Sequence, residues 1–126
     1  MSTRSAIVMK EAAGYRGIYC HSDGYPEGVG KTLLDHYQDA DKVKRLIDLG
    51  SLSCLGKLVD PVGKHSFDNR ERDVTVAYGR DRGEKNVDAV KADHLLAVAD
   101  MIDHQYVYVF EDGAWTCNGV PLTEIL

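Results

Sequence analysis

One stretch restricts the fold more than any other: "YVYVFEDGAWTC", residues 106–117. Two alternating apolar runs flank Asp112-Gly113. That dipeptide between alternating runs is the strongest short-range signal for a two-residue hairpin turn. The register it sets puts Phe110 opposite Trp115 and Tyr108 opposite Cys117, all on one face. Aromatic cross-strand pairs of this kind add roughly 0.5–1 kcal/mol each. We read the hairpin as a packed element whose aromatic face needs a covering layer, in preference to a binding surface.

The other elements follow from periodicity. Residues 3–10 and 15–21 predict two strands joined by "EAAGY", with Ile18 and Cys20 on one face and Tyr19 and His21 on the other. A helix is predicted to start near Pro26, where a missing N–H costs nothing. Its apolar stripe is Val29, Leu33 and Tyr37, joined by Leu34. A second helix runs from about Asp41, with Val43, Leu46 and Ile47 inward and Gly50 past its end. "SLSCLGKLV" predicts a short strand, 60–72 a loop, "DVTVAYG" (73–79) a strand and "RDRGEKN" a polar loop. Residues 90–103 predict a third helix on the stripe Leu95, Val98 and Ile102, with Asp93 as its N-cap. The expected fold is a single α+β domain over 1–126, mainly an antiparallel sheet with about three helices packed on one face.

Composition narrows the function classes. The 126 residues carry a net charge of −5, which argues against a duplex nucleic-acid binder. No apolar run approaches the roughly 20 residues of a membrane span, and a cytoplasmic protein is expected. Three cysteines, Cys20, Cys54 and Cys117, form no CxxC. They read as reduced, mostly buried thiols rather than a zinc or disulfide framework.

"DGYPEGVGKT" (23–32) ends like a phosphate-binding loop. The pattern GxxxxGK[ST] needs glycine at position 25, which is Tyr25, and Pro26 offers no N–H to a phosphate. The strands also read as antiparallel, whereas a P-loop domain has a parallel sheet. The loop is therefore not a P-loop. What remains is a helix N-terminus with free N–H donors and Lys31 one turn in, set against a helix already complemented by Glu27.

Other chemistry is thinner. His21 and Asp23 lie two apart beside Cys20, but two ligands without a third make no metal site. Cys20, Ser66, His21 and His65 form no nucleophilic elbow, so no catalytic residue, metal or cofactor is assigned. The richer segment is "HSFDNRERDVTVAYGRDRGE" (65–84). It sets His65, Phe67, Asn69, Arg70, Tyr78, Arg80 and Arg82 around one predicted strand. Arginines suit phosphates, aromatics stack on bases, and an asparagine reads polar edges. The interleaved Asp68, Glu71, Asp73, Asp81 and Glu84 offer the alternative of simple ion pairing.

"YCHSDGYPEGVGKTLLDHY" (19–37), the opening "MSTRS" and the 65–84 string resemble a family of small phage and prophage proteins with a YCHxDGYPEGVG signature. The resemblance covers nearly the whole chain. It implies an accessory protein acting in the bacterial host cytoplasm, and among such proteins are some that sequester nucleotide signals of host defence. The expected function is anti-defence binding of a small anionic, nucleotide-derived ligand without catalysis. Its expected contacts are Arg4, His21, Asp23, Tyr25, Lys31, His65, Phe67, Asn69, Arg70, Tyr78, Arg80 and Arg82. The alternatives are inhibition of a host protein by surface contact, and a small hydrolase using His21 with Asp23 or Glu27. Oligomeric state is not readable from the chain.

Overall fold

In the computed structural model, which describes residues 2–126, the C-terminal hairpin takes the expected register. β6 (Tyr106–Glu111) pairs with β7 (Ala114–Cys117), Tyr108 facing Cys117 and Phe110 facing Trp115. Asp112 and Gly113 adopt φ of 54° and 77°, the left-handed pair that a type I′ turn requires. The Phe110 and Trp115 rings lie 5.1 Å apart at a 54° tilt, and all four facing residues are buried.

The N-terminal hairpin joins β1 (Ser5–Glu11) to β2 (Gly14–Cys20). β1 takes β6 along its other edge in parallel. β3 (Leu52–Cys54) runs parallel to the end of β2, and β4 (Val76–Ala77) is antiparallel to β3. β8 (Val120–Pro121) closes the opposite edge, giving the order β4-β3-β2-β1-β6-β7-β8. β5 (Val90–Ala92) pairs with Tyr15–Gly17 and shares with β3 the edge of β2 that β1 leaves open.

The result is a small α+β domain with a mainly antiparallel sheet. Two details correct the expectation. The sheet is mixed, since β1–β6 and β2–β3 are parallel; the case against a P-loop therefore rests on the loop itself. Helices also cover both faces. α1 (Lys31–His36), α2 (Ala40–Asp48) and α5 (Leu122–Ile125) pack on the face carrying Ile7, Ile18, Leu52, Tyr108 and Phe110. α4 (Leu95–Asp100) and the turn after it place Val98 and Ile102 on the other face, against Ala6, Val8 and Val109. Gly17 permits that approach, because a Cβ there would sit 2.9 Å from both Val8 and Val98 side-chain carbons.

α2 shows how sequence drives these elements. The Asp39 carboxylate accepts the Asp41 N–H at 3.0 Å, answering one of the helix's unpaired donors. Val43, Leu46 and Ile47 are fully buried, each stabilising the fold by roughly 1.5–3 kcal/mol. Gly50, with φ of 79°, ends the run. Elsewhere the boundaries move. The strand expected over 73–79 is β4 alone, because residues 78–82 turn into α3 (Tyr78–Arg82). Asp81 drives that turn: its Oδ2 accepts the Ala77 N–H at 2.8 Å. The helix expected over 90–103 is split into β5 and α4, and His94 rather than Asp93 stands at the N-cap. No helix among the described residues is long and apolar enough to cross a membrane.

Candidate functional site

The signature turn is built inward. Pro26–Gly30 forms a single π-helical turn that runs into α1, with Pro26 at its first position. The Gly28 N–H donates to Tyr25 O at 3.0 Å and the Val29 N–H to Asp23 O at 2.8 Å. Two of the expected free donors at this helix start are thus engaged within the turn, which weakens the anion site drawn from sequence. A Cβ on Gly28 would lie 2.4 Å from Asp23 O, and one on Gly24 would lie 2.7 Å from Thr3 O. The Gly24 N–H donates to Thr3 O at 2.8 Å, and the Tyr108 hydroxyl donates to Gly24 O at 2.6 Å. Burial raises the Tyr108 phenol far above its ordinary value. Tyr25, 39% exposed, donates its hydroxyl to Asp23. Lys31 is exposed and pairs with Asp35 at 2.9 Å. Among the described residues, the side-chain hydrogen bonds and ion pairs of Asp23, Tyr25 and Lys31 stay within 23–35.

The 65–84 segment divides into a buried half and an open half. In the buried half, Arg80 grips Asp81 through two bonds, Nε to Oδ1 at 2.9 Å and Nη2 to Oδ2 at 3.0 Å. Its Nη1 also donates to Val59 O at 2.6 Å and Nη2 to Thr75 O at 2.7 Å. The Asp81 side chain is 4% exposed. Burial alone would raise its carboxyl; Arg80, the Ala77 N–H and His65 outweigh that and hold it below the usual carboxylate range. The His65 side chain is fully buried, its Nδ1 accepting the Glu71 N–H at 2.9 Å. Its Nε2 lies 3.2 Å from Asp81 Oδ2, off the line of a straight hydrogen bond. Arg80 and His65, expected at a ligand, instead staple the loop.

The open half gathers four of the expected contacts around one ring. The Arg70 and Arg82 guanidinium carbons lie 4.8 and 4.9 Å from the Phe67 centroid, within cation–π reach. The Tyr78 ring lies 5.8 Å away. Arg70 is held by Nε donating to Phe67 O at 3.0 Å. Arg82 has one loose partner, Glu84, at 3.9 Å. The turn Ser66–Asn69 sets this geometry through reciprocal bonds between Ser66 and Asn69 backbones, and the Ser66 hydroxyl also accepts the Asn69 N–H. Phe67, Arg82 and Asp81 border a cavity of about 440 Å³ with Ser66 and Asp68.

A second polar group sits at the same end of the sheet, on the face opposite α1 and α2. The Tyr19 hydroxyl and His21 Nδ1 are 2.6 Å apart, and His21 Nε2 is 3.0 Å from Ser2 Oγ. Arg4 pairs with Asp103 at 2.8 Å. Burial raises the Tyr19 phenol, the Arg4 charge opposes that, and Tyr78 adds to it. Arg4 and Tyr19 border a cavity of about 410 Å³ that also touches Ser51, Asn86 and Asp88.

The 65–84 loop meets α1, the helix that follows the turn, and none of the contacts expected from 21–31 lines the cavity between them. Thr32 and His36 of α1 line a cavity of about 410 Å³ with Arg70, Cys54 and Lys57. Ser2 and Gln105, also unforeseen, flank Arg4 and His21. Strand parity signals Tyr19, which shares a face with His21; nothing local signals Ser2 or Gln105. Burial pushes the Cys20 thiol up to about 12 and raises Cys54 and Cys117 too, so none is a ready nucleophile. Among the described residues, no group of three His, Cys, Asp or Glu side chains is placed to hold a metal ion. No protein-family model, curated protein or solved structure matches the chain.

Proposed function

We propose that the protein binds a small anionic ligand with a planar, nucleotide-like part at the Phe67 cluster and holds it unchanged. The observation that carries this reading is one half-buried ring with two guanidinium groups within 4.9 Å of its centroid, beside a cavity of about 440 Å³. Phe67 and Tyr78 offer faces for a base. Arg82 and Arg70 keep guanidinium nitrogens free of bidentate carboxylates, unlike Arg80, and such forks match phosphate oxygens. The resemblance to phage proteins adds the setting: sequestration of a host defence signal in the bacterial cytoplasm.

Calorimetry against cyclic and ADP-ribose-type nucleotides tests it. Saturable heat is expected, at least about tenfold weaker binding in R82A, and intact ligand after denaturation. A flat titration across the panel overturns the reading, and recovery of a cleaved product replaces holding with turnover. A second reading, a host-protein partner, is favoured by Leu96 and Met101, exposed to 76% and 52% on and just after α4. A partner captured from bacterial lysate by the intact chain and lost with L96D supports it; capture unaffected by L96D removes it.

A further inference from the structure

The hydroxyl of Ser2, the imidazole of His21 and the phenol of Tyr19 form one unbroken chain, 3.0 Å and then 2.6 Å. This is the order of nucleophile, base and orienting group found in acyl-transfer sites. The strand fixes two of the three: Tyr19 lies in β2 and His21 just past its end, where its N–H donates to Leu52 O at 3.0 Å, and the two rings lie 5.9 Å apart. β1 begins beside them, and the residues leading into it bring Ser2 against His21 Nε2 and Arg4 alongside.

The surroundings complete the set. Ser2, Arg4, His21 and Gln105 line a cavity of about 380 Å³. The Gln105 side-chain oxygen is taken by the Arg4 N–H at 3.3 Å. That orients the amide, and its NH2 group makes no hydrogen bond among the described residues. Arg4 engages Asp103 through Nη1 alone. An amide N–H and a guanidinium beside a nucleophile are what a developing oxyanion needs.

We infer that Ser2, His21 and Tyr19 form a hydrolytic site for small carboxylic esters, separate from the Phe67 ligand site. His21 Nε2 takes the Ser2 proton as Oγ attacks the ester carbonyl carbon. Arg4 and the Gln105 amide hold the oxyanion. The bond from carbon to the alcohol oxygen breaks, and Nε2–H protonates the departing alkoxide. Water then attacks the acyl-serine, giving its proton to Nε2, and Ser2 leaves with that proton as the acid is released. Ester and water become acid and alcohol, with no other reactant. Tyr19 is a positioning residue: its oxygen accepts from Nδ1–H and keeps Nε2 free to act as base.

The test is covalent labelling of the full chain with a fluorophosphonate, read by mass spectrometry, together with p-nitrophenyl acetate hydrolysis. An adduct on Ser2 is expected, and hydrolysis should fall at least about 100-fold in S2A and in H21A. Ser2 is exposed, so S2A leaves the fold intact, and circular dichroism checks H21A. Y19F is expected to lower kcat about tenfold with KM unchanged, the signature of misorientation. No adduct on Ser2, labelling at the same rate in H21A, or full hydrolysis by S2A overturns the proposal. Nucleotide calorimetry reads the other site, so either proposal can fail while the other stands.

Discussion

The turn 23–31 and the loop 59–84 carry similar advertisements: glycines, an aromatic residue, cations and nearby acids. They use them in opposite ways. In the turn, each polar group described above closes on its own segment or on the sheet: Val29 on Asp23, Tyr25 on Asp23, Lys31 on Asp35, Gly24 on Thr3 and Tyr108. In the loop, the same kinds of residue split. Arg80 makes four bonds at home, while Arg70 and Arg82 lie against a ring at the rim of a cavity. Residue type alone does not separate a structural arginine from a binding one. The number of donors already engaged sets Arg80, used up inside the fold, apart from Arg70 and Arg82.

The sharpest way to break that contrast is R80A. It leaves the Asp81 carboxylate, 4% exposed, without its main counter-charge; losing one partner of a buried pair costs about 3–5 kcal/mol. Urea denaturation should show that loss, and a loss below about 1 kcal/mol would put Arg80 back among the ligand residues. G28A comes next. Its Cβ meets Asp23 O at 2.4 Å, and relieving that overlap is expected to cost about 2–3 kcal/mol of stability. Folded G28A should still bind at the Phe67 cluster; if it folds normally and loses binding instead, the turn is a ligand loop after all.

R70A should invert this pattern. A stability change within about 0.5 kcal/mol is expected beside a fall in nucleotide affinity of about tenfold. Stability loss without affinity loss would make Arg70 a second Arg80. The smallest effect is with pH. Asp81 has its folded-state pKa lowered, so its contribution is present above the unfolded value of about 4 and is lost as pH falls through the lower folded value. An acid unfolding curve should steepen in that window for the wild type and flatten in R80A; identical curves would show that the pair does not couple to folding.

Local chemistry made some elements legible and not others. Asp112-Gly113 reported its own turn type and hence the register of Phe110 and Trp115. Val43, Leu46 and Ile47 reported α2 through spacing alone. α3 was hidden because Asp81, among alternating charges, reads as solvent-facing, and its bond to the Ala77 N–H is visible only in three dimensions. β5 was hidden because Val90–Ala92 pairs with Tyr15–Gly17, far away in the chain. The candidate site was half legible for the same reason. The arginines and aromatics of 65–84 could be named, but not which were buried, and Ser2 and Gln105 reach His21 and Arg4 through pairing of distant strands.

The parallel pairing of β1 with β6 has a consequence for how the chain is made. The β1–β2 hairpin leaves the ribosome well before the strand that covers the open edge of β1, which begins at Tyr106. Until that strand is made the edge stays bare, and bare strand edges recruit other strands. Tyr108 is also the donor that fastens Gly24, so the turn after β2 closes fully only when β6 arrives. In refolding followed by hydrogen exchange, the amides along the β6 side of β1 should gain protection after those facing β2.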